Sequence, residues 1–263
     1  MKHLVVIPLL LASAMASAIV VRHDVPDSIY LAPDTALPAL VDLPHEGHGV
    51  LIAPQWVLTA AHATQWHPIT EVMLNGDCLK TEQVFVHPGY KQLPDGLAAH
   101  NPEGAISFLA GLDDIALIKL AEPVTNVTPI ALYEGHTELG KIVVLFGKGA
   151  TGNGKTGQVD GANRTQLRRA ENVISAVEDR ALVYTFDSGS TALPLEGMLG
   201  NGDSGGPVLL YNNGHWELLG LARGRLSTSP PGFYGQQSHQ VRVSYYLEWI
   251  RATMGGTSSG RKA

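Results

Sequence analysis

Short apolar runs separated by glycine and proline turns constrain the fold of this chain more than any other feature. The runs Gly49–Ala53 (GVLIA) and Trp56–Ala60 (WVLTA) are separated only by Pro54 and Gln55, which is typical of a hairpin. Similar runs recur at 84–90, 115–121, 141–149, 207–211, 216–224 and 239–243. Because the runs are too short for buried helices, they indicate strands. We therefore predict an all-β chain, folded as an antiparallel barrel or sandwich.

Helical periodicity is confined to the C-terminal end of the chain. Val243, Tyr246, Leu247, Ile250 and Met254 are spaced so that they share one face of a helix. The polar, glycine-containing residues that follow, 256–263, are typical of a frayed tail. We therefore predict one short helix after the last strand.

The first eighteen residues have the pattern of a secretory signal peptide. Lys2 and His3 precede an apolar run, Leu4–Ala14, which is short for a membrane span. Ala16, Ser17 and Ala18 match the small residues before a signal-peptidase cleavage site. Cleavage would leave a mature chain that begins at Ile19, exported to the periplasm or secreted. The alternative is an uncleaved N-terminal anchor helix.

Charge and cysteine content limit the partners and the compartment. The chain has 18 Lys and Arg against 24 Asp and Glu, a formal net charge of −6, which gives no reason to expect nucleic acid as a partner. Its single cysteine, Cys78, has no partner for an internal disulfide. An exported chain without disulfides suits a bacterial protein better than a eukaryotic one. The role and oligomeric consequence of Cys78 stay open.

The segment Asn201–Pro207 (NGDSGGP) is the strongest chemical signal. A serine hydroxyl is a weak nucleophile that needs a base and a place for the developing oxyanion. Glycines on both sides of Ser204 allow a tight turn in which the N–H groups of Gly202 and Ser204 point into one space. The alternative is an ordinary glycine-rich turn, which the full seven-residue pattern disfavours.

Two further segments supply partners for such a serine. His62 follows an apolar strand in LTAAHA, where a rigid element can orient an imidazole. Asp114 directly precedes the buried run IALIKL, where a carboxylate can fix the tautomer of a histidine. Taken alone, each is more often an ordinary side chain, and we interpret the neighbouring Asp113 as a solvated turn residue.

The three segments occur in the order His, Asp, Ser, and TAAH, DIALIKL and GNGDSGGP resemble the signature motifs of the chymotrypsin/trypsin-like serine peptidases. The resemblance extends over most of residues 19–254. It implies two packed six-stranded antiparallel β-barrels, about 19–130 and 131–255, in one peptidase domain. It also implies peptide-bond hydrolysis with no metal and no organic cofactor. Ser204 would be the nucleophile, His62 the base and Asp114 the orienting carboxylate, with an oxyanion hole at Gly202 and Ser204.

The resemblance also implies an activating ion pair between the mature N-terminal amine and the aspartate before the nucleophile, here Asp203. Ile19 and Val20 match the Ile-Val with which mature members begin, and they directly follow the predicted cleavage site. Val21 and Arg22 depart from the two glycines common at the next positions. We therefore hypothesise that signal cleavage itself creates the activating terminus.

The predicted specificity pocket departs from that of members that cleave after Arg or Lys. Met198 occupies the position of their acidic residue, which argues against that preference. Arg223 and Arg225 replace parts of the usual pocket wall; either could face the cleft and favour acidic substrates, or lie in solvent. Ser238 is predicted to line the same pocket.

A zinc site is disfavoured, and two functional alternatives to a peptidase stay open. His45 and His48 lack the spacing of a zinc peptidase helix, and we interpret PHEGHG as a loop. A catalytically silent binding protein with the same fold is one alternative to a peptidase that acts on proteins or peptides. An esterase with the same triad is another, because the acyl chemistry is shared.

Overall fold

A computed structural model describes residues 19–161 and 166–256. The predicted signal peptide and the residues after Gly256 lie outside these ranges. In the described ranges, no helix combines the length and the apolar character needed to cross a membrane.

The N-terminal half of the chain contains a closed six-stranded barrel with the strand order β2-β3-β4-β7-β6-β5. The first seven strands are β1 (Val20–Val21), β2 (Leu40–Asp42), β3 (His48–Ala53), β4 (Trp56–Thr59), β5 (Glu71–Leu74), β6 (Asp77–Val86) and β7 (Ala116–Leu120). All the strand pairs within the barrel are antiparallel. The predicted hairpin at Pro54 and Gln55 is confirmed as the β3–β4 connection.

The C-terminal half contains a second closed ring of six strands, in the order β15-β9-β12-β13-β17-β16, which the pairing of β15 with β16 closes. The remaining strands are β8 (Ala131–Leu132), β9 (Ile142–Gly147), β10 (Thr151–Asn153), β11 (Gly157–Val159), β12 (Arg168–Val177), β13 (Ala181–Thr185), β14 (Gly197–Met198), β15 (Pro207–Asn212), β16 (His215–Gly224) and β17 (Gln237–Arg242). The predicted fold of two six-stranded barrels is confirmed.

Two burial patterns occur in the strands of the barrels, continuous burial and alternation of buried with more exposed residues. In β7, Ala116, Leu117 and Ile118 are buried because both faces of this strand are covered. In β12, buried Ala170, Asn172 and Ile174 alternate with more exposed residues. One apolar cluster of buried side chains extends across both barrels, so the barrels share a packed interface.

The two ends of the described chain cross between the barrels. Strand β1 pairs with β10 and β14, which belong to the C-terminal half, although residues from 19 onward were predicted to belong to the N-terminal barrel. The pairing with β10 is parallel, which the prediction of purely antiparallel strands missed. The local sequence cannot show which sheet β1 joins, because an apolar dipeptide such as Val20–Val21 can pair with the edge of either sheet.

The helices are α1 (Leu97–His100), α2 (Pro102–Ala110) and α3 (Leu247–Gly256). The C-terminal helix is confirmed, but it begins at Leu247 after a 3₁₀ turn, Val243–Tyr246. Its Ile250 is fully buried within the apolar cluster that includes the N-terminal barrel.

Helices α1 and α2, which were not predicted from the sequence, interrupt the long segment between β6 and β7. Helix α2 begins with a recognisable cap: the Asn101 side chain accepts a hydrogen bond from the Gly104 N–H at 2.9 Å, and Pro102 occupies the first helical position. The helix is only nine residues long and buries only Ala105 completely. Its apolar periodicity is therefore too brief to distinguish it from a loop.

Candidate active site

Strand pairing brings the predicted histidine and aspartate together. Strands β4 and β7 are antiparallel neighbours, and Thr59 faces Ala116 in their register. His62 follows the end of β4 in a 3₁₀ turn, and Asp114 precedes the start of β7, so both lie at the same end of this strand pair. Residues 52 positions apart in the chain thus become neighbours.

Asp114 holds His62 through two hydrogen bonds. The His62 backbone N–H donates to Oδ1 at 2.8 Å, and the ring Nδ1 lies 2.7 Å from Oδ2. The second bond fixes the ring with Nδ1–H toward the carboxylate, which leaves Nε2 as the basic nitrogen. The His62 side chain is 22% exposed and that of Asp114 only 6%. The buried carboxylate of Asp114 therefore fixes the orientation of the His62 ring, and the ring itself remains partly accessible to solvent.

The environment of Asp114 stabilises its ionised form. Burial by itself would raise the pKa of this carboxyl, because it penalises a charge. The charge of His62, the hydrogen bonds from His62 and the charge of Arg223 outweigh burial, so the pKa of Asp114 lies below its ordinary value. A carboxylate held in this way can stabilise an imidazolium during proton transfer.

Arg223 connects three parts of the site. Its Nε lies 3.9 Å from Asp114 Oδ2, and its side chain is 7% exposed. Its terminal nitrogen donates to the carbonyl of Leu109 at the end of α2, and also lies 3.5 Å from the carbonyl of Leu112. The guanidinium therefore ties the helical insert to β16 beside Asp114.

The loop that carries Ser204 is fixed on both sides by backbone hydrogen bonds. The carbonyl of Gly202 accepts from the Gly47 N–H at 3.2 Å, and the carbonyl of Ser204 accepts from the His48 N–H at 2.7 Å. On the other side, the Gly205 N–H donates to the carbonyl of Ala222 at 2.8 Å. The loop thus spans the interface between the barrels.

A close approach at Gly205 brings this loop against the segment that leads to His62. A Cβ at Gly205 would collide with Thr59 Oγ1 and with the carbonyl of His48, and would lie 3.1 Å from the Ala60 nitrogen. Only glycine fits such a contact. Ser204 therefore lies next to the end of β4, although its hydroxyl makes no hydrogen bond within the described residues, His62 included. Such contacts are often loose before substrate binds.

Two backbone donors of this loop have no acceptor within residues 19–161 and 166–256. These are the N–H groups of Gly202 and Ser204, the pair predicted to form an oxyanion hole. Gly202 has φ +85°, a left-handed conformation that glycine adopts without strain. Donors without a protein acceptor next to a nucleophile are the arrangement that stabilises a developing oxyanion.

Asp203 is fully buried, and its carboxylate fixes two neighbouring segments. Oδ1 accepts from the Gly149 N–H at 2.7 Å and Oδ2 accepts from the Gly200 N–H at 2.9 Å. His48 Nε2 lies 3.9 Å from Oδ1. Because the buried Asp203 carboxylate accepts several hydrogen bonds, it fixes the conformation of the serine loop.

The interpretation of His48 as a loop residue is wrong. His48 is fully buried at the start of β3, and its Nδ1 lies 3.0 Å from Asp42 Oδ1. The Asp42 carboxylate also pairs with Lys148 Nζ at 3.2 Å. The sequence could not predict the burial of His48, because its polar network forms only when the fold brings Asp42, His48 and Lys148 together. His45, by contrast, lies in the turn before β3 with φ +66°.

Asp113 is also not the solvated residue that was predicted. Its side chain is 15% exposed and accepts a hydrogen bond from the Tyr246 hydroxyl at 2.9 Å. Arg180 Nε and His87 Nδ1 lie 2.8 and 3.4 Å from its carboxylate. Asp113 therefore joins the C-terminal helical segment to the edge of the N-terminal barrel, and its neighbour Asp114 alone faces His62.

Ile19 lies in the interior of the C-terminal half. Its side chain is 1% exposed and lies against Gly197, while Val20 pairs with Met198. Ile19 has φ +62°, which is an outlier for a β-branched residue. The first residues of the predicted mature chain are thus inserted into the fold rather than left on the surface.

A cavity of about 250 Å³ lies beside Ser204. Its lining includes three of the four predicted pocket residues, Met198, Arg223 and Arg225. The full lining consists of Gln158, Met198, Leu199, Gly200, Asn201, Ser204, Arg223, Gly224, Arg225, Pro231 and Gly232. Ser238 is not part of it: this residue is buried on β17, where its hydroxyl accepts from Gln240 Nε2 at 2.8 Å. The lining contains two arginines and no carboxylate.

Replacing Asp114 by Asn should slow the reaction of Ser204 with a fluorophosphonate by roughly 10⁴-fold, because an amide holds His62 in the wrong tautomer. The rate is measured by intact mass spectrometry over time. Asp113→Asn is the matched control and should label at nearly the unchanged rate, since Asp113 does not contact His62. Equal slowing by both substitutions would contradict the assignment of Asp114.

The lowered pKa of Asp114 also predicts a pH dependence of stability. A carboxyl whose pKa is lower in the folded state stabilises the fold above its ordinary pKa, near 4, and this contribution disappears as pH falls through the folded-state value. The unfolding free energy of the unchanged chain minus that of Asp114→Asn should therefore decrease as pH falls below about 4. Urea unfolding of both proteins between neutral and acid pH measures this difference. A difference independent of pH would contradict the prediction.

Comparison with known proteins is consistent with this geometry. A family model described as Trypsin matches residues 29–250, well over half of the chain. Brachyurin from Leptuca pugilator is 31% identical over 220 residues, which cover 80% of this chain and 88% of that protein. A solved structure titled neuropsin, a serine protease expressed in the limbic system of mouse brain, superposes with a TM-score of 0.64 at 21% identity. That match covers 86% of this chain and 98% of the neuropsin chain.

Two other relatives are much longer proteins. Complement C1s subcomponent from Rattus norvegicus is 29% identical, and the match covers 82% of this chain but 33% of the relative. Vitamin K-dependent protein C from Mus musculus is 27% identical, with 79% of this chain and 46% of the relative covered. The chain thus spans less than half the length of these two relatives.

Proposed function

Because the chain belongs to the trypsin family of serine peptidases, we propose that it is an exported serine endopeptidase that uses His62, Asp114 and Ser204. One observation carries this proposal: a buried carboxylate fixes the His62 ring through two hydrogen bonds, next to a serine loop with two unused N–H donors. This arrangement fits acyl transfer to a serine.

The proposed reaction begins when His62 Nε2 removes the proton from Ser204 Oγ as the oxygen attacks the carbonyl carbon of the scissile bond. The N–H groups of Gly202 and Ser204 stabilise the resulting oxyanion. His62 then donates its proton to the leaving amine, and the peptide carbonyl remains bound to Oγ as an ester. Water, deprotonated by His62, hydrolyses that ester and regenerates the serine.

The substrate residue before the scissile bond is proposed not to be Arg or Lys. Met198 and the other residues that line the cavity carry no negative charge. A basic side chain would therefore lose hydration without gaining an ionic partner, and Arg223 and Arg225 would repel it.

Export and the mature terminus are further parts of the proposal, supported by the residues before Ile19 and by its buried place in the fold. A β-branched residue with φ near +60° carries strain of about 1–3 kcal/mol. Cleavage after Ala18 would remove this torsion and free the N-terminal amine, which would then pair with the buried Asp203. A bacterial source stays a prediction from the single cysteine, whereas the relatives described above come from animals.

The central test is the mass of the exported protein before and after reaction with a fluorophosphonate. We expect one adduct on Ser204, located by peptide mapping, and none on the Ser204→Ala variant. Cleavage of a casein substrate by the unchanged chain, and its loss in Ser204→Ala, should accompany the adduct. A folded chain without an adduct would favour a silent binding protein. An adduct with turnover of esters but not of peptides would favour an esterase.

The proposed terminus is tested by mature chains that start at Ile19 or carry one additional Ala before it. The additional residue displaces the amine that is to pair with Asp203, so labelling of Ser204 should fall by several orders of magnitude while the urea midpoint stays similar. A chain extended at its C-terminus by one Ala is the matched control. Full labelling of the N-terminally extended chain would overturn the activation pair.

A further inference from the structure

Basic residues line the cavity beside Ser204 in a protein whose net charge is −6. They are Arg223 and Arg225, and no Asp or Glu is among the described lining residues; the nearby Asp160 carboxylate accepts hydrogen bonds from Gln158 and Asn201 of the lining. In acyl transfer, the carbon bonded to Ser204 Oγ belongs to the residue before the scissile bond. The side chain of that residue is therefore the one closest to this cavity.

The two arginines differ in their partners. Arg223 is occupied by the carbonyls of Leu109 and Leu112 and by the nearby carboxylate of Asp114. Arg225 has no hydrogen bond and no ion pair from its guanidinium within residues 19–161 and 166–256. Arg223 thus has a structural role, and only the charge of Arg225 is available to a ligand.

The guanidinium of Arg225 is also partly withdrawn from water. One of its terminal nitrogens, Nη1, is shielded from solvent and has no acceptor in the described part of the chain. Burial lowers the pKa of Arg225, and no neighbouring charge counters that effect. A cation that loses hydration without a counter-ion is unfavourable until an anion arrives. A guanidinium without a partner, as in Arg225, is therefore what we expect in an empty site that binds a carboxylate.

We infer that Arg225 binds the side-chain carboxylate of an Asp or Glu immediately before the scissile bond. The planar fork of a guanidinium matches a carboxylate and can donate two parallel hydrogen bonds to it. Met198 and Leu199 line the same cavity and would contact the methylene groups of that side chain. Preferred cleavage after Asp or Glu rests on the proposed function, whereas binding of the carboxylate by Arg225 does not.

Binding to the Ser204→Ala variant tests the inference without requiring turnover. The ligands are the acetylated, amidated peptides Ac-Ala-Ala-Pro-Glu-NH₂ and Ac-Ala-Ala-Pro-Gln-NH₂, with the Asp and Asn pair as a second set. Because the C-terminus is blocked, each pair differs only in the side-chain carboxylate. We expect the acidic peptide to bind about 10- to 100-fold more tightly, the range of a charge-assisted hydrogen bond.

The second variant, Ser204→Ala with Arg225→Gln, should bind the acidic and amide peptides equally, and Arg225→Lys should retain part of the difference. Arg169→Gln is the matched control for net charge, because Arg169 is 44% exposed, pairs with Glu171 and is not part of the cavity lining. It should leave the difference intact. Urea unfolding verifies that each variant is folded.

Two results would overturn the inference: equal affinity of the acidic and amide peptides for the chain with Arg225, or a difference that survives in Arg225→Gln.

In the catalytic assay, peptides that vary only before the scissile bond should be cleaved fastest with Glu or Asp, and Arg225→Gln should remove that preference while keeping cleavage after Gln. A carboxylate-dependent affinity in a chain that gives no Ser204 adduct would overturn the proposed peptidase activity and support the binding site.

Discussion

The site depends above all on how backbone hydrogen bonds fix the loop of Ser204 between the barrels. The carbonyls of Gly202 and Ser204 accept from Gly47 and His48, and the buried carboxylate of Asp203 accepts from two further N–H groups. The N–H groups of Gly202 and Ser204, by contrast, have no acceptor among the residues that the structure describes. Ser204 therefore lies next to preorganised N–H donors, the arrangement that the proposed oxyanion hole requires.

Asp114 provides the second constraint, and its surroundings connect the candidate active site to the insert before β7. It holds His62 from the same end of the β4–β7 pair, while Arg223 reaches the same carboxylate and the end of α2. Arg223 therefore links the insert to Asp114. The carboxylate, the arginine and the helix come from different parts of the chain, so the site is a property of the packed barrels rather than of one segment.

The exchange of chain ends between the barrels stabilises the interface on which the site lies. Val20 and Val21 pair within the C-terminal half, and α3 packs against the N-terminal barrel. Asp113 joins this interface through Tyr246 and Arg180. Because Ser204 and His62 belong to different barrels, contacts that hold the barrels together also keep these two residues close to each other.

The sequence by itself determined eight of the strands, the C-terminal helix and the identity of the three catalytic candidates, because these depend on local periodicity and on motifs with a fixed spacing. The predicted strands are β3, β4, β6, β7, β9, β15, β16 and β17. The others were not predicted, among them β2 and β5 of the first barrel and β12 and β13 of the second. It also indicated that Met198, Arg223 and Arg225 belong to one pocket. It could not determine that His48 is buried in a polar network, that Asp113 is partnered, or that β1 crosses to the other barrel. Only tertiary packing decided those points, because burial and ionic pairing depend on residues distant in the chain. The different surroundings of Arg223 and Arg225 were decided in the same way: among the described residues, the guanidinium of Arg223 has partners and that of Arg225 has none.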